Sequence, residues 1–374
     1  MPDFSSFTSF RVLRDLKAYL YLRVGATRGS IPNFESCKTQ SLSKASSLSL
    51  NNNVGSPPVF FVVGRYKSGT SWLMRMFNTH PDILCRGEGR FFGREWRRED
   101  LKEEQVNVPP RTLYGTLYES EYLKLWLERS VWSRDGVSED HIAQITHAAT
   151  EYILNAKLAE SGKKMVGDKT PFLTPEVIRE IGEVYPEARV IHIIRDGRDI
   201  AVSAVHHRWN KSKDQGGVHG LRPEEMKRRE AYRVNPQDVL ERGIFAEKAL
   251  RGQARAWKTM VGQAMEDGPT LLGKNYTEVR YEDLLENTES EVRRLLEFLG
   301  AKTNNSVVRR CVKKASFEKL SKGRQRGEED PTSFFRKGIA GDWKNTFTER
   351  DKQVFKEEAG DLLVKLDYEK DNNW

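Results

Sequence analysis

A lysine in a glycine-containing turn is the residue whose setting best suits chemistry on an anion. Residues 59–63 are consecutive apolar residues that predict a buried strand, and Lys67 follows them between Gly64 and Gly69. Residues 72–77 then predict a helix. The N–H groups of such a turn and the positive end of the helix dipole favour a phosphate or sulfate, and the lysine adds a full charge. The alternative is an ordinary turn with a solvated lysine.

A second group of polar residues follows another predicted strand. Arg195 comes directly after the apolar run 189–194, and Ser203 lies one to two turns into the next predicted helix. The guanidinium group forms a fork that matches a terminal phosphate, and the hydroxyl is a neutral donor. A charged surface turn would show the same residues, so this stretch alone leaves both interpretations open.

Two later stretches add cations and an aromatic ring. Arg336 and Lys337 are followed by Gly338 and Gly341, a pattern that suits a loop folding over an anion. Tyr281 ends a predicted strand, where its ring could face a nucleotide base or simply be buried.

Strands alternate with helices along the chain, which predicts an α/β fold with a mostly parallel sheet flanked by helices. Ligands bind such sheets at the carboxyl ends of the strands. The predicted strands are residues 59–63, 83–85, 164–167, 189–194 and 277–281. Residues 139–159, 175–184, 239–265 and 290–299 predict further helices, and residues 96–138 show no clean periodicity.

The chain divides into an N-terminal extension and one large domain. Residues 1–53 form a basic segment that ends in a Ser/Asn-rich linker, and the domain is expected to cover residues 54–374. Within the domain, the polar, glycine-containing stretch 209–238 predicts a mobile loop or lid. An apolar stripe near residues 13–24 predicts an amphipathic helix that packs on the domain or a second subunit, with a membrane surface or a transit peptide as alternatives.

Composition limits the protein's class and compartment. A net charge of +8 suits an anionic ligand, although it also allows nucleic acid or a membrane surface as a partner. Three widely spaced cysteines argue against a disulfide framework or a zinc site and indicate a reducing compartment, so we expect a cytoplasmic protein. No apolar run has the length of a membrane-spanning helix.

The four stretches around Lys67, Arg195, Tyr281 and Arg336 resemble, in this order, the sulfotransferases that use 3′-phosphoadenosine 5′-phosphosulfate (PAPS). The resemblance runs from about residue 59 to the C-terminal helix. It implies a P-loop-like sulfotransferase fold and PAPS as the donor. The residues it assigns to the nucleotide are Arg65, Lys67, Ser68, Gly69, Thr70, Ser71, Trp72, Arg195, Ser203, Tyr281, Arg336, Lys337 and Gly338.

Within that assignment, the resemblance implies a separate task for each part of the site. Lys67 and the amides of residues 68–70 would hold the 5′-phosphosulfate. Arg195, Ser203 and residues 336–338 would hold the 3′-phosphate, whereas Trp72 and Tyr281 would border the adenine.

A closer local likeness concerns catalysis. Residues 73–88 look like the equivalent segment of the tyrosylprotein sulfotransferases, whose general base stands at the position of Glu88, and Lys169 resembles a lysine of theirs. The resemblance therefore implies Lys67, Glu88 and Lys169 as catalytic residues. An exposed carboxylate paired with a neighbouring arginine is the alternative for Glu88, and His206 and His207 are the other candidate bases.

Sulfuryl transfer to a hydroxyl or amine is the predicted reaction, with two other classes of function left open. A P-loop kinase would need the Walker A spacing, but here the lysine precedes the second glycine by two residues. A non-catalytic basic module would bind nucleic acid or membrane through its charge alone, and we expect no nucleic-acid partner. We also expect no metal, since no cluster of metal-binding type occurs. Five arginines lie around and just after Glu88, and they favour either an anionic acceptor or a solvated charged face: Arg86, Arg90, Arg94, Arg97 and Arg98.

Overall fold

The computed structural model describes residues 57–93, 112–172, 174–211 and 221–374. Residues Pro57–Trp374 form one compact unit. The predicted extension 1–53, including its amphipathic helix, lies outside the described residues. In the described part of the chain, no helix combines the length and apolar character that crossing a membrane requires.

A five-stranded parallel sheet is the centre of this unit. Its strands are β1 (Val59–Gly64), β2 (Ile83–Gly87), β3 (Met165–Pro171), β4 (Arg189–Ile194) and β5 (Tyr276–Arg280). The order across the sheet is β2-β3-β1-β4-β5, and every neighbouring pair is parallel. All five carboxyl ends therefore lie along one edge. The predicted α/β class with a parallel sheet flanked by helices is confirmed.

The helices cover both faces of this sheet, as parallel strands require. In chain order they are α1 (Thr70–Thr79), α2 (Leu113–Tyr118), α3 (Glu121–Arg129), α4 (Ser138–Ser161), α5 (Val177–Val184), α6 (Gly197–Lys211), α7 (Pro223–Val234), α8 (Pro236–Arg242), α9 (Glu247–Asp267), α10 (Tyr281–Glu286), α11 (Thr288–Phe298), α12 (Asn305–Lys314), α13 (Phe317–Leu320) and α14 (Glu349–Lys365). A π-helical turn (Gly268–Leu272) and two 3-10 turns (Gly273–Asn275 and Asp342–Asn345) complete the described helical elements.

The central strand β1 shows why the sheet is buried on both sides. Phe61 and Val63 belong to one apolar core, whereas Phe60 and Val62 belong to the core on the opposite face. All four side chains are at most 1% exposed. The continuous apolar run of β1 thus reflects burial of both faces of the strand. The turn after Gly64 is therefore anchored to a rigid strand.

Two sequence predictions in the second half of the chain need correction. The single helix predicted over 239–265 is two helices, because Gly243 adopts φ +87° after α8 and Ile244 and Phe245 then turn into a core. The stretch 209–238, predicted as a loop or lid, contains the end of α6, all of α7 and the start of α8. Residues 212–220 lie outside the described residues, and movement of the segment as a lid stays a prediction.

Candidate functional site

The turn between β1 and α1 has the backbone conformation of an anion-binding loop. Gly69, the residue before α1, adopts φ +104°, and a Cβ placed there would lie 2.6 Å from the ring of Tyr281. Lys67 has a positive φ of 72°, which is uncommon for a residue with a side chain. The turn therefore combines a sterically required glycine with a lysine held in a rare conformation.

The turn also determines which amides are available to an anion. The Ser68 amide donates to the Arg65 carbonyl at 3.1 Å, so it closes the turn itself. The amides of Thr70 and Ser71 lie in the first helical turn, where α-helices leave N–H groups without intrahelical partners. The sequence prediction that the Ser68 amide binds the ligand is thus at odds with its position.

Arg65 also differs from its predicted role. Its guanidinium group is buried, lies over the Tyr66 ring and donates a 3.5 Å hydrogen bond to Gln253. Neither Arg65 nor Ser68 is among the residues that line the cavity beside the turn. The geometry therefore gives both residues a place in the support of the loop.

One cavity brings together all four stretches that the sequence singled out. The predicted residues that line it are Lys67, Gly69, Thr70, Ser71, Trp72, Arg195, Ser203, Tyr281, Arg336, Lys337 and Gly338. Ile339 and the side chains of Leu285, Phe317, Leu320, Arg326, Phe334 and Phe335 complete the described lining. The described lining contains five cationic residues and no carboxylate, so we call it the donor cavity.

Most of the residues that sequence reasoning missed lie on helices or loops whose position depends on the fold. Leu285, Phe317 and Leu320 carry no local signal for a ligand, because apolar helix residues normally pack in a core. Phe334 and Phe335 could have been found, since two aromatic residues directly precede the cationic pair of residues 336–337.

Arg195 contacts each of the other three stretches. Its guanidinium group donates to the carbonyls of Lys67 at 3.1 Å and Ile339 at 3.2 Å, and it lies 4.3 Å from the centre of the Tyr281 ring. Asp199, one helical turn onward, is 3.5 Å away. The buried Nε atom of Arg195 has no hydrogen-bond partner. The side chain thus joins the loops and retains one donor.

Arg336 and Lys337 are held by carboxylates of their own chain. Arg336 pairs with Asp342 and, at 2.6 Å, with Glu329, whereas Lys337 lies 2.8 Å from Asp342. Burial opposes ionisation of Asp342, but the two cations outweigh it and hold its pKa at about 2. Asp342 therefore stays ionised and fixes both cations at the cavity.

Trp72 and Tyr281 lie together on the wall of the donor cavity. Their ring centres are 5.8 Å apart in an edge-to-face arrangement, and the Trp72 indole N–H donates to the Ala315 carbonyl at 2.8 Å. Fixed aromatic rings on a cavity wall are suited to a flat base, but their contact with adenine stays a prediction.

A second cavity adjoins the first and contains the predicted catalytic pair. Its described lining is Ser71, Met74, Arg75, Gly87, Glu88, Arg90, Lys169 and Phe334, and we call it the acceptor cavity. The β2–β3 register places Gly87 opposite Lys169, which brings the lysine beside the residue that follows β2. Glu88 and Lys169 form an ion pair in which the lysine is 7% exposed and the glutamate 51%. Glu88 thus reaches solvent in the cavity while its cationic partner is buried.

Asp168 supports the segment that carries Glu88. One carboxylate oxygen accepts from the Gly89 amide at 2.9 Å, and the other accepts from the Thr170 hydroxyl at 2.7 Å. Burial outweighs these hydrogen bonds and raises the pKa of Asp168 to about 6. The position of the Glu88 backbone is therefore linked to a carboxyl group that titrates near neutral pH.

The alternative bases lie elsewhere. His206 is 3% exposed and lines a separate cavity with Trp209 and Tyr232, and burial lowers its pKa to about 3. His207 packs edge-to-face on Phe334 at 5.8 Å but is not among the residues lining the donor or acceptor cavity. The geometry brings Glu88, and neither histidine, to the acceptor cavity.

Replacing Arg195 by lysine tests whether the guanidinium fork holds the loops together. One ammonium cannot reach both carbonyls in the same geometry, so we expect Arg195→Lys to lose about 2 kcal/mol of unfolding free energy. Urea denaturation measures this. Arg255→Lys, at an exposed pair with Glu358, is the matched control and should change stability by less than about 1 kcal/mol. Equal effects in the two variants would contradict the bridging role.

The raised pKa of Asp168 predicts a pH dependence of stability. From about pH 4 to 6 the folded chain binds more protons at this carboxyl group than the unfolded chain does, so its contribution to stability falls as pH rises. Asp168→Asn should remove that part of the slope in thermal melts. The exposed Asp135→Asn should leave the slope intact, and an unchanged slope in Asp168→Asn would refute the assignment.

Comparison with known proteins agrees with this site. Residues 184–366 match the family model described as "Sulfotransferase domain". Sulfotransferase 1A1 of Bos taurus is 26% identical over 184 residues, which are 45% of this chain and 52% of that protein. Sulfotransferase 1C2 of Homo sapiens is 33% identical over 86 residues, 21% of this chain and 29% of that protein. The chain spans about half the length, or less, of these curated relatives.

Solved structures were compared as well. Mouse sulfotransferase SULT7A1 complexed with PAP aligns with a TM-score of 0.44 and 17% identity, covering 83% of this chain and 85% of that one. The sulfotransferase domain from the curacin biosynthetic pathway aligns with a TM-score of 0.43 and 15% identity, covering 84% and 98%. Together, the family match over residues 184–366 and the curated relatives show that this part of the chain is similar to sulfotransferases.

Proposed function

We propose that the protein transfers a sulfuryl group from PAPS to an acceptor hydroxyl or amine. The observation that carries this proposal is the donor cavity, where five cations and the first-turn amides of α1 converge beside two aromatic rings. A nucleoside whose ribose carries anionic groups at its 3′ and 5′ positions matches that distribution. The unpartnered Nε of Arg195 supports a second phosphate site away from Lys67.

The β1–α1 turn supplies the groups that would stabilise the leaving phosphate. When sulfur leaves a phosphosulfate, negative charge grows on the phosphate oxygen. Lys67 and the amides of Thr70 and Ser71, which line the donor cavity at the start of α1, would stabilise such a charge. Because the transferred group carries one negative charge, less cationic compensation is required than for a phosphoryl group.

The acceptor cavity supplies the base that would activate the attacking hydroxyl. An acceptor hydroxyl must lose its proton, and the half-exposed carboxylate of Glu88 is the base that the cavity offers. Lys169 forms an ion pair with that carboxylate and holds it in place. Ser71 lines both cavities, so the two sides meet at the start of α1.

We further propose that the acceptor is anionic. Arg75 and Arg90 line the acceptor cavity, and no described carboxylate forms an ion pair with either side chain. Many other arginines here are paired, including Arg251 and Arg294. Two uncompensated cations beside the base favour a negatively charged group near the reacting hydroxyl.

The cytoplasm remains the proposed compartment. Its support is the use of cysteine, since Cys85 and Cys311 are both free and buried.

Substitutions at the two sides of the reaction test the activity. With PAPS and a panel of phenols, alcohols and amines, Lys67→Ala should lower turnover by about 10²–10³-fold. Glu88→Gln should lower it by about 10²–10⁴-fold while calorimetry shows unchanged affinity for 3′,5′-ADP. The exposed Lys274→Ala is the control. Absence of any sulfated product, or stronger thermal protection by ATP–Mg²⁺ than by 3′,5′-ADP, would refute the proposal.

A matched pair of acceptors tests the preference for charge. We expect 4-hydroxyphenylacetate to be used with at least about tenfold higher kcat/KM than its neutral amide. Arg90→Gln should reduce this ratio with little change for the amide, whereas the exposed Arg242→Gln should preserve it. Equal use of both acceptors by the unmodified protein would contradict an anionic acceptor site.

A further inference from the structure

Phe334 occupies a position between the two cavities that no sequence motif assigned. Of the described residues, it and Ser71 line both the donor cavity and the acceptor cavity. Its side chain is 53% exposed. A large apolar ring left half in water at a site of this kind indicates that part of its surface is covered when ligands are bound.

The same ring covers the functional lysine. The Lys67 ammonium lies 4.4 Å from the centre of the Phe334 ring, within the range of a cation–π interaction. Phe335 and His207 pack against Phe334 at 5.0 and 5.8 Å between ring centres. The side chain is thus supported from behind, while its face is turned to the ammonium.

The backbone next to Phe334 is held by a separate set of hydrogen bonds. Arg324 donates to the carbonyls of Phe335 at 2.6 Å and Arg336 at 2.7 Å, and the Gly327 amide donates to the Lys337 carbonyl at 2.8 Å. These bonds fix the loop on the side of the cationic pair. The backbone of residues 335–337 is therefore held by contacts that do not involve the Phe334 side chain.

We propose that Phe334 is a gating residue that restrains Lys67 and closes the donor cavity toward the acceptor cavity until an acceptor displaces the ring. This inference rests on the proposed sulfuryl transfer. The competing reaction is hydrolysis: a water oxygen bonds to sulfur, and the bond from sulfur to the bridging oxygen breaks. The electron pair stays on the phosphate of 3′,5′-ADP, and protons pass to solvent as inorganic sulfate forms. The ring keeps water from that line of attack and withholds Lys67 from the leaving oxygen.

Hydrolysis of PAPS without any acceptor tests the gate directly. Phe334→Ala should release 3′,5′-ADP and inorganic sulfate at least about tenfold faster than the unmodified protein does. Trp132→Ala is the control, because that residue is 92% exposed and lines neither the donor nor the acceptor cavity. Phe334→Tyr keeps the ring and should restore slow hydrolysis. Equal rates of PAPS hydrolysis in Phe334→Ala and the unmodified protein would refute the proposed gating role of Phe334.

A second readout does not depend on turnover. Acetylation of the Lys67 ε-amine by acetic anhydride, followed by peptide mass spectrometry, should be several-fold faster in Phe334→Ala than in the control Trp132→Ala. The other lysines of the same digest are internal controls, and thermal melts verify folding. Unchanged labelling of Lys67 in Phe334→Ala would refute the proposed restraint of Lys67 by the ring, even if the protein does use PAPS as its donor. Failure of the unmodified protein to bind 3′,5′-ADP would instead refute the proposed function, whatever the labelling shows.

Discussion

The candidate site depends on the guanidinium group of Arg195. The residue follows β4, whose last residue pairs with Arg280 of β5, so Arg195 and Tyr281 leave neighbouring strands at the same edge. From there the side chain reaches the carbonyls of Lys67 and Ile339. A planar fork can hold two carbonyls and stack on a ring at once, which an ammonium cannot do. Three loops distant in sequence are thereby held around one cavity.

The opposite side of the site depends on strand register. Glu88 is placed beside Lys169 because β2 and β3 run parallel and end together. A slip of one residue would turn Lys169 to the other face of the sheet and separate the pair. Asp168, one residue earlier, faces the other way and binds the Gly89 amide. Consecutive residues of one strand thus provide the charge partner of the base and the support of its backbone.

The sequence predicted those features that rest on local physics. The sequence predicted a strand near each of the five observed positions, and Lys67, Arg195 and Tyr281, which follow three of these strands in the structure, line one cavity. The sequence alone could not show that Lys67 lines the cavity whereas Arg65 does not. That difference depends on packing of the turn against α9, where Arg65 donates to Gln253. The sequence also predicted α8 and α9 as one helix. The apolar residues between them are buried in a core that only the tertiary structure forms.

The carboxylates at the cationic loop explain how Arg336 and Lys337 can lie side by side. Two adjacent cations beside Arg195 repel one another, and Asp342 and Glu329 compensate that repulsion. The two carboxylates differ in burial: the Asp342 side chain is 4% exposed, whereas that of Glu329 is 25% exposed. A phosphate dianion entering from the cavity can replace the more exposed partner and leave the buried one in place. Asp342 then keeps the cations oriented, and the exchange of one carboxylate for a doubly charged phosphate favours binding. Paired carboxylates of unequal exposure thus allow two adjacent cations to share one loop.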